Sequence, residues 1–216
     1  MALVFSQLCA VGNFIVKNYA ATPNDRTESR TQSAQEGTVR EVLLLGDPNL
    51  RTVSERVTEL NDPILQEEIR ELHKRLELFR SEHGFGRAIS APQIGIPKRF
   101  IAMNLNGELH TIINPELIWK SDEQFTMWDD CMSFPSLLVR LRRHKSISIQ
   151  YEDAEGVSHS WNELPIDISE LLQHEIDHLD GVLAVDRAID RDAIVERGAF
   201  ESMKEYFAKQ VDYTIS

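Results

Sequence analysis

The sequence His174-Glu175-Ile176-Asp177-His178 constrains the fold of this chain more than any other feature. On an α-helix, residues four positions apart lie one turn apart on the same face, so both imidazoles can reach one metal ion. The surrounding residues are largely apolar, namely Leu171, Leu172, Ile176 and Leu179. Burying two imidazoles and a carboxylate is costly unless something binds them. The pattern therefore predicts a buried, metal-binding helix.

Composition limits the classes of protein to which the chain can belong. Its 216 residues are 42% hydrophobic and 27% charged, enough apolar material for a core without disulfide bonds. The net charge of -12 argues against direct binding of nucleic acid, because phosphate backbones attract positive surfaces. Two cysteines, Cys9 and Cys131, cannot form a disulfide framework and favour a reducing compartment. No run approaches the roughly 18 apolar residues of a membrane-spanning helix, so we predict a cytoplasmic protein that does not bind membranes.

Residues 1–37 differ from the rest of the chain. Residues 1–24 carry a single charge, Lys17, and apolar residues at helical spacing, whereas residues 21–37 are almost all polar or small. The first part fits an amphipathic segment packed on the domain, an organellar presequence that lacks arginine, or a secretory signal that lacks a basic start. We expect an N-terminal extension or linker over residues 1–37 and a single domain over 38–216. A targeting segment in the extension would instead place the protein in a mitochondrion or plastid.

The periodicity of residues 38–216 predicts an α+β fold. A helix is expected between Asp62, which can cap it, and Gly84, which can end it. Residues 99–161 contain short apolar runs and a hairpin turn at 153–156. Strands that follow one another without intervening helices pair in antiparallel sheets.

Two further helices complete the expected fold. One runs from about Ile168 to Asp180, with Asp167 and Glu170 spaced as a capping box and Gly181 as its end. The other covers residues 192–211. The expected architecture is mostly antiparallel sheets packed around a central metal-binding HExxH helix, with a C-terminal helix.

A catalytic metal site needs a third protein ligand besides His174 and His178. Ala184 occupies the position at which one class of zinc protease has a third histidine, which excludes that class. A downstream Glu196 or Glu201 would complete a zinc peptidase of another class. The alternative ligand is Cys131, which stands among polar residues beside a proline turn, a setting that suits a thiolate next to a cation.

Three stretches together resemble the peptide deformylase family in their order and separation. Residues 173–181 match the family motif QHExDHLxG at every position. Residues 129–133 correspond to the family motif EGCLS. Residues 86–93 align with the motif GxGxAAPQ. Taken alone, this glycine-rich stretch would indicate only a loop. The similarity covers residues 40–190 and leaves the N-terminal segment outside.

The resemblance implies one divalent metal ion per chain, held by Cys131, His174 and His178. The ion would be Fe(II) in the cell, with Zn or Ni often found after isolation. The implied reaction removes the N-formyl group from the N-terminal methionine of newly made polypeptides. In this mechanism a metal-bound water attacks the formyl carbon, with Glu175 as general base and then general acid.

The resemblance also assigns roles to residues around the metal. Gln93 and the backbone N–H of Met132 would stabilise the oxyanion. The substrate side chain and backbone would contact residues that correspond to the family's pocket: Gly86, Ala88, Ile89, Met127, Met132 and Leu171. Asp129 would pair with Arg143 behind the metal ligands, and because aspartate is one methylene shorter than the family's glutamate, the pair is expected to be longer or water-bridged.

Several residues depart from the family pattern without removing a ligand, the base or the oxyanion glutamine. Ala88 replaces a glycine and Ser90 an alanine, Arg87 places a charge near the substrate entrance, and Asp129 and Asp130 replace glutamate and glycine. These changes bear on substrate preference and rate rather than on the type of reaction.

Other functions and partners remain open at this point. The alternative functions are the zinc peptidase and a non-catalytic homologue that binds formylated or other N-termini. Glu175 argues against the second, because a binding protein does not require a general base. The expected partners are N-formylmethionyl peptides and nascent chains. Residues 190–216 contain six acidic and four basic residues, so weak or no docking to the ribosome is expected through this segment.

Overall fold

The computed structural model describes residues 39–215. The predicted extension over residues 1–37 lies outside them. Within residues 39–215, four α-helices and eight β-strands follow in chain order, with short 3-10 helices between some of them: α1 Pro63–His83, β1 Ala88–Ser90, β2 Phe100–Leu105, β3 Glu108–Lys120, β4 Gln124–Asp130, β5 Leu137–His144, β6 Ile147–Glu152, β7 Ser158–Trp161, α2 Ile166–Leu179, β8 Ile194–Glu196, α3 Arg197–Ser202 and α4 Lys204–Ala208.

The strands form two sheets. The larger has the strand order β1-β2-β3-β6-β7 and the smaller the order β4-β5-β8. Neighbouring strands are antiparallel in both sheets. The predicted α+β class with antiparallel sheets is therefore confirmed.

Helix α1 begins and ends as its sequence predicts. The Asp62 carboxylate accepts a hydrogen bond of 2.9 Å from the Ile64 backbone N–H, and Pro63 occupies the first turn. Gly84 ends the helix in the left-handed conformation, with φ of 76°. The buried stripe of α1 packs into the core beside strand β2 and consists of Leu65, Ile69, Leu72, Leu76 and Phe79.

Helix α2 crosses the interior and carries the two histidines. It begins two residues earlier than predicted, because the extended Pro165 precedes its first turn and the Pro165 carbonyl accepts hydrogen bonds from the helix. The predicted capping box is wrong: Asp167 and Glu170 both lie inside the helix, and the Glu170 carboxylate pairs with Arg87 instead. Every residue from Ser169 to Leu179 is buried. The helix is therefore enclosed almost all round, as its apolar neighbours predicted.

The C-terminal segment is helical over a shorter range than the predicted 192–211. Residues Ile194–Glu196 form β8, which pairs with β5, and the helical part is divided into α3 and α4. The Glu196 carboxylate accepts a hydrogen bond from the Ala199 N–H at the start of α3. Phe200 and Phe207 pack on Trp128, which holds the helices against the small sheet.

Across residues 39–215, none of the helices has the length and apolar character required to cross a membrane.

Candidate metal centre

Three potential ligand atoms converge in the interior. His178 Nε2 lies 3.2 Å from His174 Nε2 and 3.3 Å from Cys131 Sγ. All three side chains are buried, with exposures of 1% for His178, 6% for His174 and 2% for Cys131. Their ligand atoms all lie within 4.8 Å of one another.

Local structure explains this convergence. Helix α2 places His174 and His178 one turn apart on one face. Cys131 follows the last residue of β4 and begins a turn in which the Phe134 N–H bonds to its carbonyl at 3.2 Å. The end of β4 therefore places the Cys131 thiol against the face of α2 that carries the two histidines.

The donor set fits a metal ion. A tetrahedral site with metal–nitrogen bonds of about 2.0 Å and a metal–sulfur bond of about 2.3 Å has ligand atoms about 3.3–3.6 Å apart. The observed separations of 3.2 and 3.3 Å are close to these values. Two imidazoles and a thiol suit Zn and Fe among the common metals.

A charged network fixes the orientation of His174. Its Nδ1 donates to the Asp129 carboxylate at 3.0 Å, and the Arg143 guanidinium donates to the same carboxylate at 2.9 Å. Against the effect of burial, Asp129 raises the pKa of His174, so the metal-free imidazole is protonated, and the bond to Asp129 retains the proton on Nδ1 when Nε2 gives up its own to bind a metal. Asp129 and Arg143 are in direct contact, so the expectation of a longer or water-bridged pair is wrong. Arg143 of β5 lies opposite Phe125, which is four residues before Asp129 on β4, so both side chains point to the same face of the sheet.

The same network determines the protonation of the buried groups. Burial alone would raise the pKa of Asp129, but His174 and Arg143 hold that pKa well below its usual range. Burial, reinforced by the charge of His174, lowers the pKa of His178 and keeps this imidazole neutral. Asp129 is therefore an anion, and His178 has the neutral form that a metal ligand requires.

Two further residues extend the network beyond those that the sequence identified. Arg143 also donates to the Asp177 carboxylate, which in turn accepts a 2.6 Å hydrogen bond from Nε of Arg187. Asp177 is the fourth residue of the HEIDH segment, so its position in the motif was already visible in the sequence. No feature of the sequence marks Arg187, because its contact with Asp177 depends on how the chain turns after α2.

Glu175 lies beside the ligands without joining them. Its carboxylate Oε2 accepts a 2.5 Å hydrogen bond from the Ser90 hydroxyl, and its exposure is 3%. Burial raises the pKa of Glu175, although the charge of His174 and the Ser90 bond oppose that rise. A carboxylate with a raised pKa binds a proton more readily than an ordinary glutamate, which suits a group that accepts and returns one.

Gln93 is held with its amide N–H group toward the thiol. The Ser90 backbone N–H donates to Gln93 Oε1 at 2.8 Å, which fixes the orientation of the amide. Gln93 Nε2 then lies 3.7 Å from Cys131 Sγ and 3.3 Å from Ser133 Oγ. A donor is therefore directed at the space beside the three potential ligands.

A cavity of about 620 Å³ opens onto the site, with Cys131, His174 and Glu175 among its lining residues. Four of the predicted substrate contacts also line it, namely Gly86, Ala88, Met132 and Leu171. The other two, Ile89 and Met127, have no exposed surface and lie outside the lining. They pack behind the cavity rather than in its wall.

The glycine motif keeps its first glycine, Gly86, and has Ala88 in place of its second. Gly86 has a φ of 108°, and a Cβ atom there would come within 2.4 Å of the end of Met132. Glycine is therefore required at this position. Ala88, in contrast, lies in strand β1 and pairs with Met103 of β2, where alanine is not strained.

The charged residues that depart from the family pattern have partners outside the motifs. Asp130 accepts a 3.1 Å bond from Arg197, whose guanidinium lies 4.6 Å from the centre of the Phe85 ring. Arg87 pairs with Glu170 on α2. Both pairs lie at the cavity, since Asp130, Arg87, Glu170 and Phe85 all line it.

The C-terminal tail forms part of the cavity wall, which the sequence did not indicate. The Asp212 carboxylate accepts bonds from the Thr126 N–H at 2.9 Å and from the Thr126 hydroxyl at 2.8 Å. This pairing with β4 places Tyr213, Thr214 and Ile215 against the cavity. The two partners are 86 residues apart in the chain, so no local signal marks the contact.

Glu170 provides a test of the electrostatics. Burial raises its pKa from 4.5 to about 7, although Arg87 opposes the rise. Between pH 4.5 and pH 7 the unfolded chain ionises this group while the folded protein keeps it protonated, so stability falls as pH rises. Glutamine does not ionise, so Glu170→Gln should not lose stability in this way. We expect its free energy of unfolding, relative to that of the parent, to rise by about 3 kcal/mol between pH 4.5 and pH 7.

Urea unfolding of the metal-free proteins across this pH range measures the difference. Glu77→Gln on the exposed face of α1 is the matched control. A stability difference between Glu170→Gln and the parent that is constant with pH would contradict the electrostatic account.

The α+β fold and the buried cysteine–histidine–histidine set define a class of metalloenzyme. Comparison with known proteins identifies the family within this class. Residues 39–193 match the model of the polypeptide deformylase family, and the chain belongs to that family. The resemblance drawn from the three motifs, and the enzyme class that it implied, are thereby confirmed.

Individual relatives agree with this assignment. The peptide deformylase of Bartonella tribocorum is 34% identical over 170 residues, which cover 74% of this chain and 90% of that protein. The crystal structure of the Thermotoga maritima peptide deformylase is 31% identical, covers 71% of this chain and 99% of its own, and has a TM-score of 0.64. The Plasmodium falciparum peptide deformylase in complex with an inhibitor is 29% identical, covers 78% and 99%, and has a TM-score of 0.62. Deformylases act on N-formylmethionyl peptides.

Proposed function

We propose that this chain removes the formyl group from N-formylmethionyl peptides at a divalent metal ion bound by Cys131, His174 and His178. The observation that carries the proposal is the convergence of these three donors, of which Cys131 and His174 line one cavity together with Glu175. When bound, such an ion lowers the pKa of a water molecule and polarises the formyl oxygen. Fe(II) is the proposed ion in the cell, with Zn or Ni as substitutes after isolation.

Glu175 moves the proton in this proposal. It takes a proton from the attacking water and delivers it to the amine that leaves. The Ser90 hydroxyl bond holds the carboxylate in one orientation. The raised pKa of Glu175 brings the two protonation states closer in free energy, which favours a group that must serve as base and acid in turn.

Gln93 and Met132 bind the charge that develops on the formyl oxygen. The side-chain amide of Gln93 donates into the space beside Cys131, where its partner Ser90 fixes it. The backbone N–H of Met132 is the second proposed donor, since Met132 follows Cys131 and lines the cavity. Fixed donors of this kind stabilise an oxyanion without reorganisation during the reaction.

The geometry gives no support to a peptidase with a downstream glutamate ligand. The Glu196 carboxylate is bonded to the Ala199 N–H at the start of α3. Glu201 is exposed on α3, and neither residue lines the cavity. In the described range 39–215, the cluster suited to a metal contains Cys131 and no glutamate.

Several broader expectations remain proposals. Residues 38–216 form one catalytic domain preceded by an extension, and the protein works in the cytoplasm unless that extension holds a targeting segment. Substrates are nascent chains, reached without stable docking to the ribosome. The tail favours this proposal, because Asp212 is engaged with Thr126 and the remaining charges of the segment are mixed.

The proposed reaction has a direct assay. Protein reconstituted anaerobically with Fe(II) is mixed with formyl-Met-Ala-Ser, and the products are separated by mass spectrometry. We expect formate and the free peptide Met-Ala-Ser, and loss of both after treatment with a chelator. Cleavage of an internal peptide bond without formate would support the peptidase, and no turnover with Fe(II), Zn or Ni would support a binding protein.

Asp129 offers a test of how the metal site is supported. We expect Asp129→Asn to weaken metal affinity by about 10–100-fold, because the neutral amide holds the Nδ1–H of His174 less strongly. Competition with a chromophoric chelator measures the affinity. Asp180→Asn, which changes a half-exposed aspartate paired with Arg99, should leave the affinity unchanged. Equal affinities in the two variants would show that Asp129 does not act through His174.

A further inference from the structure

The cavity beside the proposed metal site contains an ion pair in its wall. Glu170 lies on α2 one turn before His174, and both residues line the cavity. Its carboxylate pairs with the Arg87 guanidinium, which comes from the segment preceding β1. The Glu170 side chain is 2% exposed and that of Arg87 is 31% exposed. Glu170 is therefore buried in the cavity wall, and Arg87 is partly exposed beside it.

The hydrogen bonding of this pair is incomplete. Arg87 donates to the Asp167 carbonyl at 2.9 Å and to Glu170 Oε1. Within residues 39–215, Glu170 Oε2 accepts no hydrogen bond. Arginine carries five N–H donors, and only two bonds of the Arg87 guanidinium are made in this range. The wall consequently retains an acceptor and several donors that water or a substrate can use.

The neighbouring wall is apolar. Leu171, Met132 and Tyr213 of the tail line the cavity together with the ion pair. A side chain that enters this space meets apolar surface and the ion pair together. An apolar side chain removes water from the charges without replacing its hydrogen bonds, which costs free energy. A polar side chain of the same length replaces some of those bonds.

We propose that the Arg87–Glu170 ion pair determines the side-chain preference of the first substrate residue, so that the cavity accepts a polar side chain about as well as methionine. This inference rests on the proposed deformylase function and defines its substrate class. Glutamine is the informative comparison, because its side chain is nearly the same length as that of methionine and ends in an amide.

The test compares formyl-Met-Ala-Ser with formyl-Gln-Ala-Ser above pH 7, where Glu170 is ionised. We expect the parent enzyme to show values of kcat/KM for the two peptides within about tenfold of each other, since the hydrogen bonds of the polar end offset its smaller apolar area. In Arg87→Leu/Glu170→Leu, which removes both charges together, we expect the methionine-to-glutamine ratio to rise at least about tenfold. The change should lie mainly in KM, because the pair touches the side chain and not the reacting atoms.

Two further variants control the experiment. Lys98→Met/Glu68→Leu removes an ion pair of comparable burial, with exposures of 32% and 14%, outside the cavity. It should leave the ratio unchanged. If circular dichroism shows that the leucine variant is unfolded, Arg87→Met/Glu170→Gln removes both charges with less change in shape, and a smaller rise of about threefold is expected.

The outcomes separate this inference from the proposed function. If the parent releases formate from the methionine peptide but the ratio stays constant in the folded variant, the inference is wrong and the function stands. A parent enzyme that favours methionine by more than about a hundredfold would also overturn the inference. If the parent releases no formate, the function is wrong. Calorimetric affinities for Met-Ala-Ser and Gln-Ala-Ser then decide the inference: a ratio unchanged by the substitutions overturns it, and a tenfold shift supports it.

Discussion

Glu175→Gln is expected to lower the rate of formate release by about 10²–10⁴-fold while the metal content stays unchanged. Glutamine keeps the shape of the side chain and can still accept the hydrogen bond of the Ser90 hydroxyl. It cannot take the proton of the attacking water. Because Glu175 lies beside the three potential ligands and not among them, its replacement leaves the donor set intact.

The measurement combines elemental analysis with a formate assay on the same sample. Glu67→Gln, on the exposed face of α1, is the matched control and should retain the parent rate. A protein that only binds N-termini would release no formate in either the parent or the variant. Stoichiometric metal and an unchanged rate in Glu175→Gln would sink the proposed mechanism.

The second large effect concerns the ligands themselves. Each of Cys131→Ala, His174→Ala and His178→Ala is expected to reduce bound metal to less than about a tenth of stoichiometry after dialysis, since a three-ligand site loses most of its affinity with any one ligand. Activity should fall with the metal. Circular dichroism establishes that each variant remains folded.

His110→Ala is the control for histidine removal, because His110 lies on β3 away from the cluster. It should keep a full equivalent of metal. The decisive variant is Cys131→Ala, because a peptidase that uses a glutamate ligand would retain its metal without the thiol. Stoichiometric metal in this variant would contradict the ligand assignment.

Local signals explain the parts of the fold that the sequence predicted. The limits of α1 follow from Asp62 and Gly84, which act on adjacent backbone groups. The burial of α2 follows from the apolar residues that surround its histidines. In both elements the determining residues lie within the element or next to it.

Long-range contacts explain the parts that were not predicted. Residues 194–196 join β5 as a strand, although their sequence continues a helical pattern, because the edge of the small sheet offers backbone hydrogen bonds. Glu170 was expected to cap α2, yet its carboxylate pairs with Arg87, which is 83 residues distant in sequence. The tail reaches the cavity through Asp212 and Thr126.

The residues of the functional site likewise divide into those that local sequence identified and those that long-range contacts place there. The motifs identified Cys131, His174, Glu175 and His178, which the structure places together. Arg187 and the tail residues were missed because nothing in their local sequence marks them. Ile89 was expected to contact substrate but packs behind the cavity, since the inward face of a strand can point to the core as well as to a ligand.

X-ray absorption spectroscopy of the zinc-loaded protein tests the central claim most directly. We expect one sulfur at about 2.3 Å and two imidazole nitrogens at about 2.0–2.1 Å from the metal. The sulfur should persist in Cys9→Ala, which removes the other cysteine of the chain. A spectrum with nitrogen and oxygen neighbours alone, or a sulfur lost in Cys9→Ala, would contradict a site formed by Cys131, His174 and His178.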